Sequence, residues 1–178
     1  MLEWYRTGLR ATDGPHYSHL WTDRAAILKV AAQAASSTQW NFQGRICDPI
    51  ATPIPIAVND AFKAHANIRL LDQAFCNGAV DRDRFAHAAQ AQGVKIASDD
   101  TWSDIFTRVL VERVEPELTP VSDAALPAVI LHGYPIPEAA LARPDTQDPR
   151  VAERFELFAC GVELANGFGE LNDPAEQR

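Results

Sequence analysis

"RVAERFELFACGVELANGFGELND", residues 150–173, decides how this chain is read, because it sets a row of carboxylates among apolar side chains. Glu156, Glu163 and Glu170 stand among Phe155, Leu157, Phe158, Val162, Leu164 and Phe168. As a helix, the stretch would carry Glu156, Glu163, Asn166 and Glu170 on one face. The glycines oppose that reading. Gly161, Gly167 and Gly169 would each cost about 1 kcal/mol relative to Ala inside a helix, and Asn166-Gly167 is a turn dipeptide. A hairpin fits better, with "RFELF" and "VELAN" as strands turning at Ala159-Cys160 or Cys160-Gly161. With either turn, period-2 alternation puts Glu156 and Glu163 on the same face of adjacent strands.

Two like charges so placed repel unless something positive lies between them. A hard divalent cation such as Mg²⁺, which takes one or two carboxylates together with phosphate oxygens and water, would resolve the repulsion. A solvated sheet face would resolve it too, and the pattern leaves both readings open.

Outward from this hairpin the chain alternates helical and extended signals. Apolar residues at Leu20, Trp21, Ala25, Ile27, Leu28 and Ala31 predict an amphipathic helix from Tyr17 to about Ala35. "WNFQGRICDP" predicts a tight hairpin around Gly44, ended by Pro49. "PIPIAVNDAFKAHANI" predicts an edge strand leading into a helix capped by Asn59 or Asp60. "DRDRFAHAAQAQG" predicts a helix closing on Gly93, and "SDDTWSDIFTRVLVERVEPEL" another that Pro116 stops. "PAVILHGYP" reads as a strand, and "PIPEAALARPDTQDPR" as a loop. The fold class expected is α+β, an antiparallel sheet with helices against it.

At 178 residues and 47% hydrophobic content the chain suits one domain. Its net charge of −8, with 24 acids against 16 Lys and Arg, offers no basic track for a phosphate backbone, which argues against autonomous nucleic-acid binding. Cys47, Cys76 and Cys160 are scattered, without zinc-ligand spacing, and read as reduced, buried thiols of a cytoplasmic protein. No apolar run approaches the roughly 18–20 residues of a membrane span, so no membrane partner is expected. His16 and His19 near a helix start lack a third ligand at metal-binding spacing.

The ends of the chain carry a family likeness. "RVAERFELFACGVELANGFGELNDPAEQR" resembles the stretch before motif 3 of class II lysyl-tRNA synthetases, and "MLEWYR" resembles the end of their motif 2. With "HGYPIPEAALAR" and "DDTWSDIFTRVLVERVEPEL", the whole chain looks most like the synthetase paralogues that attach lysine to elongation factor P. The resemblance implies a single partial class II aminoacyl-tRNA synthetase catalytic domain over residues 1–178. It implies ATP-dependent activation of lysine or β-lysine as an adenylate and transfer to a lysine of elongation factor P, with tRNA as the alternative acceptor. Residue by residue, it implies that Glu156 and Glu163 hold Mg²⁺ and ATP, that Glu3, Tyr5 and Glu170 receive the ε-ammonium of lysine, and that Asn166 lies near the substrate carboxylate. Ala165 stands where the paralogues also have Ala, a pointer to β-lysine.

The family's phosphate-binding arginines of motifs 2 and 3, and the dimer-forming motif 1, have no counterpart in the sequence. The expectation is therefore a fragment, or internal-start product, of a longer homodimeric enzyme, inactive as an isolated remnant.

Overall fold

The structure, a computed structural model, describes residues 2–8 and 17–175. His16 lies outside the described residues. The chain enters as an extended segment, followed by helix α1 (Ser18–Ala34), the hairpin β1 (Trp40–Phe42) and β2 (Arg45–Asp48), and strand β3 (Ile54–Ala57). A helical excursion follows: α2 (Val58–Ala61), a π turn over Phe62–Ala66, α3 (Leu70–Gln73), the small hairpin β4 (Phe75–Cys76) and β5 (Ala79–Val80), then α4 (Arg82–Ala91). Next come α5 (Trp102–Val109), a second π turn over Leu110–Val114, and α6 (Glu115–Leu118). The chain closes through β6 (Leu126–Pro127), β7 (Val129–Pro135), β8 (Val151–Ala159) and β9 (Val162–Phe168).

The main sheet runs β3-β7-β8-β9. β7, β8 and β9 pair antiparallel, but β3 pairs parallel with β7. This corrects the wholly antiparallel sheet expected from sequence. The physical reason is the helical excursion itself, a crossover long enough to bring the chain back in the same direction. α+β stands, with a mixed sheet.

Helices cover both sheet faces. On one, Phe62 stacks on Phe106 at 5.1 Å between ring centres, Trp102 stacks on Phe106 at 5.7 Å, and Phe158, Leu131 and Tyr134 of the sheet join them. On the other, Tyr17 just before α1 and Leu28 within it pack on Ile130, Phe155 and Leu157. The alternation of β8 between the two cores is what fixes its register.

Two local expectations need correcting. Ala57, not Asn59 or Asp60, precedes α2, and the Asn59 carboxamide oxygen instead accepts a hydrogen bond from the Leu71 N–H at 3.1 Å. Pro116 does not end its helix. A π turn loosens the preceding backbone, and Pro116 takes the second position of α6, where a missing N–H breaks no helical bond. The helix over 82–91 ends as expected, with Gly93 at positive φ. Cys47 and Cys160 are buried, whereas Cys76 is exposed; all are free. No helix among the described residues is long and apolar enough to cross a membrane.

A close approach fixes the backbone beyond β9. A Cβ on Gly169 would stand 2.2 Å from Glu153 Oε2, and Glu153 is 3% exposed and ion-paired with Arg143 at 2.6 Å, so it has nowhere to move. Gly169→Ala should therefore destabilise the chain by about 1–3 kcal/mol, the scale of overpacking. Urea denaturation reads this directly; an unchanged midpoint would show that the 141–144 and 169–171 backbones can part without cost.

Candidate active site on the β8–β9 face

β8 and β9 turn through Cys160 (φ 53°) and Gly161 (φ 74°), the two left-handed residues that a tight hairpin requires. The turn is pinned from outside, because the Gly161 N–H donates to Thr119 Oγ1 at 2.6 Å. Below it the pairing shifts: Phe158 faces Glu163, but Leu157 faces Ala165, so Leu164 is a bulged extra residue. Strict alternation would send Glu163 and Asn166 to opposite faces. The bulge brings Asn166 directly across from Glu156 and Phe168 across from Arg154. One face of the hairpin thus presents Arg154, Glu156, Glu163, Asn166 and Phe168, while Ala165 turns toward the α1 core.

Glu156 is 7% exposed and doubly held. Tyr134 Oη donates to its Oε2 at 2.6 Å, and Arg154 Nη2 donates to its Oε1 at 2.7 Å. Burial and the adjacent Glu156 carboxylate push the Tyr134 hydroxyl far above its ordinary range, so it remains a donor. Arg154 also covers the Tyr134 ring at 4.6 Å and donates to the Glu138 carbonyl. The positive charge that the like-charge argument demanded is thus present in the chain itself, two residues before Glu156.

It does not settle all the repulsion. Partial burial and then Glu156 raise the carboxyl of the exposed Glu163 above the usual carboxylate range; Asn166 and Arg154 act the other way. Burial, then Glu156 and Glu163, raise the half-buried Glu115 as well. Glu115 opens α6, and only the tertiary fold brings it here. From beneath, burial lowers the Arg24 guanidinium to about 10, and the field of Glu163 opposes that shift. Arg24 lies 3.9 Å over the Phe155 ring, and its Nη2 would meet a Cβ on Gly167 at 2.6 Å. Among the described residues no three His, Cys, Asp or Glu side chains are grouped closely enough to coordinate a metal by themselves.

A second group forms at the end of β9. Tyr5 Oη donates to Glu3 Oε1 at 2.8 Å, and the Tyr5 hydroxyl is raised first by Glu3 and, more weakly, by the charge of Glu170. All three are exposed. Asp23 of α1 places the segment, accepting from Trp4 Nε1 at 3.2 Å and from Arg6 Nε at 2.5 Å. Beside the hairpin face a cleft of about 400 Å³ opens over Arg154, Asn166 and Phe168, walled by residues 137–142. Its size and its mixed polar and apolar lining suit a small ligand.

The six residues named from sequence thus fall into two neighbouring groups, Glu156, Glu163 and Asn166 on the hairpin face and Glu3, Tyr5 and Glu170 at its end. Sequence reasoning missed Tyr134, Arg154, Glu115 and the wall of the cleft. Arg154 was legible as the strand neighbour of Glu156 at period 2; Tyr134 and Glu115 were not.

No protein-family model matches the chain. Curated relatives do. An elongation factor P (R)-β-lysine ligase of Erwinia tasmaniensis is 32% identical over 182 residues, covering 100% of this chain and 45% of that protein. One of Vibrio cholerae is 29% identical over 178 residues, covering 99% and 45%. The chain is a homologue of these ligases. It is likewise similar to a lysine–tRNA ligase of Pelotomaculum thermopropionicum, 33% identical over 156 residues, 85% of this chain and 28% of that protein. The chain spans less than half the length of the relatives it matches.

Removing the guanidinium leaves a buried carboxylate unpaired. Arg154→Met should cost about 1–3 kcal/mol at neutral pH, below the figure for a fully buried pair because Arg154 is 28% exposed. Chemical denaturation measures it; a change under about 0.5 kcal/mol would mean that Tyr134 alone satisfies Glu156.

Proposed function

We propose that the chain is part of a class II aminoacyl-tRNA synthetase-type catalytic domain that activates lysine or β-lysine with ATP and passes it to a lysine of elongation factor P. The observation that carries this reading is the shared face of Glu156, Glu163 and Asn166, continued by Glu170 beside Tyr5 and Glu3. A relative's name alone would leave the site unassigned.

Glu3, Tyr5 and Glu170 receive the ε-ammonium: two carboxylates and a hydroxyl supply the opposite charge and the acceptors that an ammonium needs. Asn166 orients the carboxylate that becomes the adenylate. Glu156 and Glu163 hold Mg²⁺ with the ATP phosphates. The fit is physical, since Glu163 and Glu115 are both raised, first by burial and then by neighbouring negative charge, and the oxygens of Glu156 keep lone pairs beyond those used by Tyr134 and Arg154. Bound there, Mg²⁺ would neutralise phosphate charge during nucleotidyl transfer. The enzyme works as a cytoplasmic homodimer.

Elongation factor P is preferred as acceptor because its ligases align with 99–100% of this chain, against 85% for the lysine–tRNA ligase. tRNA as acceptor remains the second reading on the strength of that 85% match.

In the longer enzyme of which the chain would be part, lysine-dependent exchange of pyrophosphate into ATP tests the activation step. Glu156→Gln or Glu163→Gln should abolish it, and exchange that persists in both removes the Mg²⁺ assignment. Glu170→Gln should raise the lysine KM or lower kcat with ATP dependence unaltered. Charging of elongation factor P against tRNA with labelled lysine separates the acceptors.

The pH dependence has a definite sign. Carboxyls raised by burial and repulsion keep their protons to higher pH than the ordinary value of 4.5, and a cation must displace those protons. Affinity for a divalent cation should fall as the pH drops toward about 4.5, whereas the metal-free chain should lose stability as the pH rises through the same window. Mn²⁺ titration followed by water-proton relaxation checks the first half; Glu163→Gln should flatten the curve, and a flat curve in the unaltered chain would refute it.

A further inference from the structure

The β8–β9 hairpin has two ways to pair, and only one of them makes the acidic face. From Arg154↔Phe168 to Leu157↔Ala165 the ladder is regular. Continued without a break, it would set Phe158 across from Leu164 and Ala159 across from Glu163, closed by a three-residue loop. The structure instead closes through Cys160 and Gly161 alone, pairs Phe158 with Glu163 and leaves Leu164 over as the bulge. Because paired residues share a face, the unbroken register would carry Glu163 to the side of Ala159, away from Glu156.

Local costs fall on both registers. The one observed holds Cys160 at φ 53°, where a side chain crowds the backbone, leaves Leu164 44% exposed and brings two carboxylates to one face. The unbroken one would lay Leu164 on the buried Phe158, but turn Glu163 toward the α1 core and force Val162 into the left-handed position of a three-residue loop. Only two residue pairs hold the stretch between turn and bulge, and β9 is the last strand of its sheet among the described residues.

What distinguishes the registers from outside the hairpin is one hydrogen bond. In a two-residue loop the Gly161 N–H lies outside the ladder, and it donates to Thr119 Oγ1 at 2.6 Å. Thr119 is 3% exposed and follows α6 directly, so the packed helices fix where that acceptor stands. On the other side of the turn the Cys160 thiol donates to the Trp40 carbonyl at 3.4 Å, and the Arg45 side chain lies against Gly161. We propose that Thr119 is a positioning residue whose hydroxyl selects the bulged register and so keeps Glu163 on the face of Glu156. Its consequence for a divalent cation rests on the lysine-activation reading; the register does not.

NMR of the 178-residue chain reads the register from cross-strand contacts. The unaltered chain and Thr119→Ser, which keeps the hydroxyl, should show Phe158 against Glu163. Thr119→Val, of similar size but without the acceptor, should lose about half or more of that contact to one between Phe158 and Leu164, and Mn²⁺ binding should weaken by the same factor, about twofold or more. An undiminished Phe158–Glu163 contact in Thr119→Val overturns the proposal. So does the slip in Thr119→Ser, which would assign the effect to packing of the methyl group. Should Thr119→Val not fold, amide exchange of the unaltered chain decides: Gly161, although outside the ladder, should be protected, and free exchange there overturns the proposal equally. Absence of Mn²⁺ binding by the unaltered chain would refute the cation assignment and not the register, which the cross-strand contacts decide by themselves.

Discussion

Glu156 lies in the middle of β8 at 7% exposure, and the arrangement around it follows from the need to keep a charge there. Tyr134 reaches it from β7 and Arg154 from its own strand, so two neighbouring strands are bound to one carboxylate. Arg154 then extends the constraint sideways to the carbonyl of Glu138, which sets the cleft wall. Breaking a buried pair costs more than the pair contributes, and this asymmetry makes the cluster rigid. Whatever meets this face meets a carboxylate that cannot drift.

The N-terminal segment is placed by a different device. Asp23 gathers Trp4 and Arg6, and Arg24, one residue on, packs between Phe155 and the backbone at Gly167. One turn of α1 therefore connects the strand bearing Asn166 to the segment bearing Glu3 and Tyr5. Gly167 looks like a turn residue in the sequence, but its lack of a side chain serves this packing.

Much of this was legible beforehand, and the gaps have physical causes. The hairpin and the common face of Glu156 and Glu163 follow from period 2 and glycine placement alone, whereas the choice of Cys160-Gly161 over Ala159-Cys160 as the turn comes from the structure. The helix over 18–34, the β1–β2 hairpin and the edge position of β3 follow from equally local signals. The parallel pairing of β3 with β7 was hidden because strand direction depends on where a long crossover lands. Glu115 was hidden for a related reason, since it reaches the site only after α5 and α6 have packed. Asn166 was assigned through family likeness; strict alternation would have turned it away from Glu163, and no residue in "VELAN" announces the bulge that corrects this.

That bulge means the site is written in the number of residues as much as in their kinds. Leu164 is exposed, pairs with nothing on β8, and could change identity at little cost. Its presence, however, is what keeps Asn166 and Phe168 on the side of Glu156. The hairpin is thus a counting device: substitutions at its spare position are silent, while the gain or loss of one residue between Glu163 and Asn166 would exchange the two faces of the strand beyond it and leave a folded protein with its acids in the wrong room.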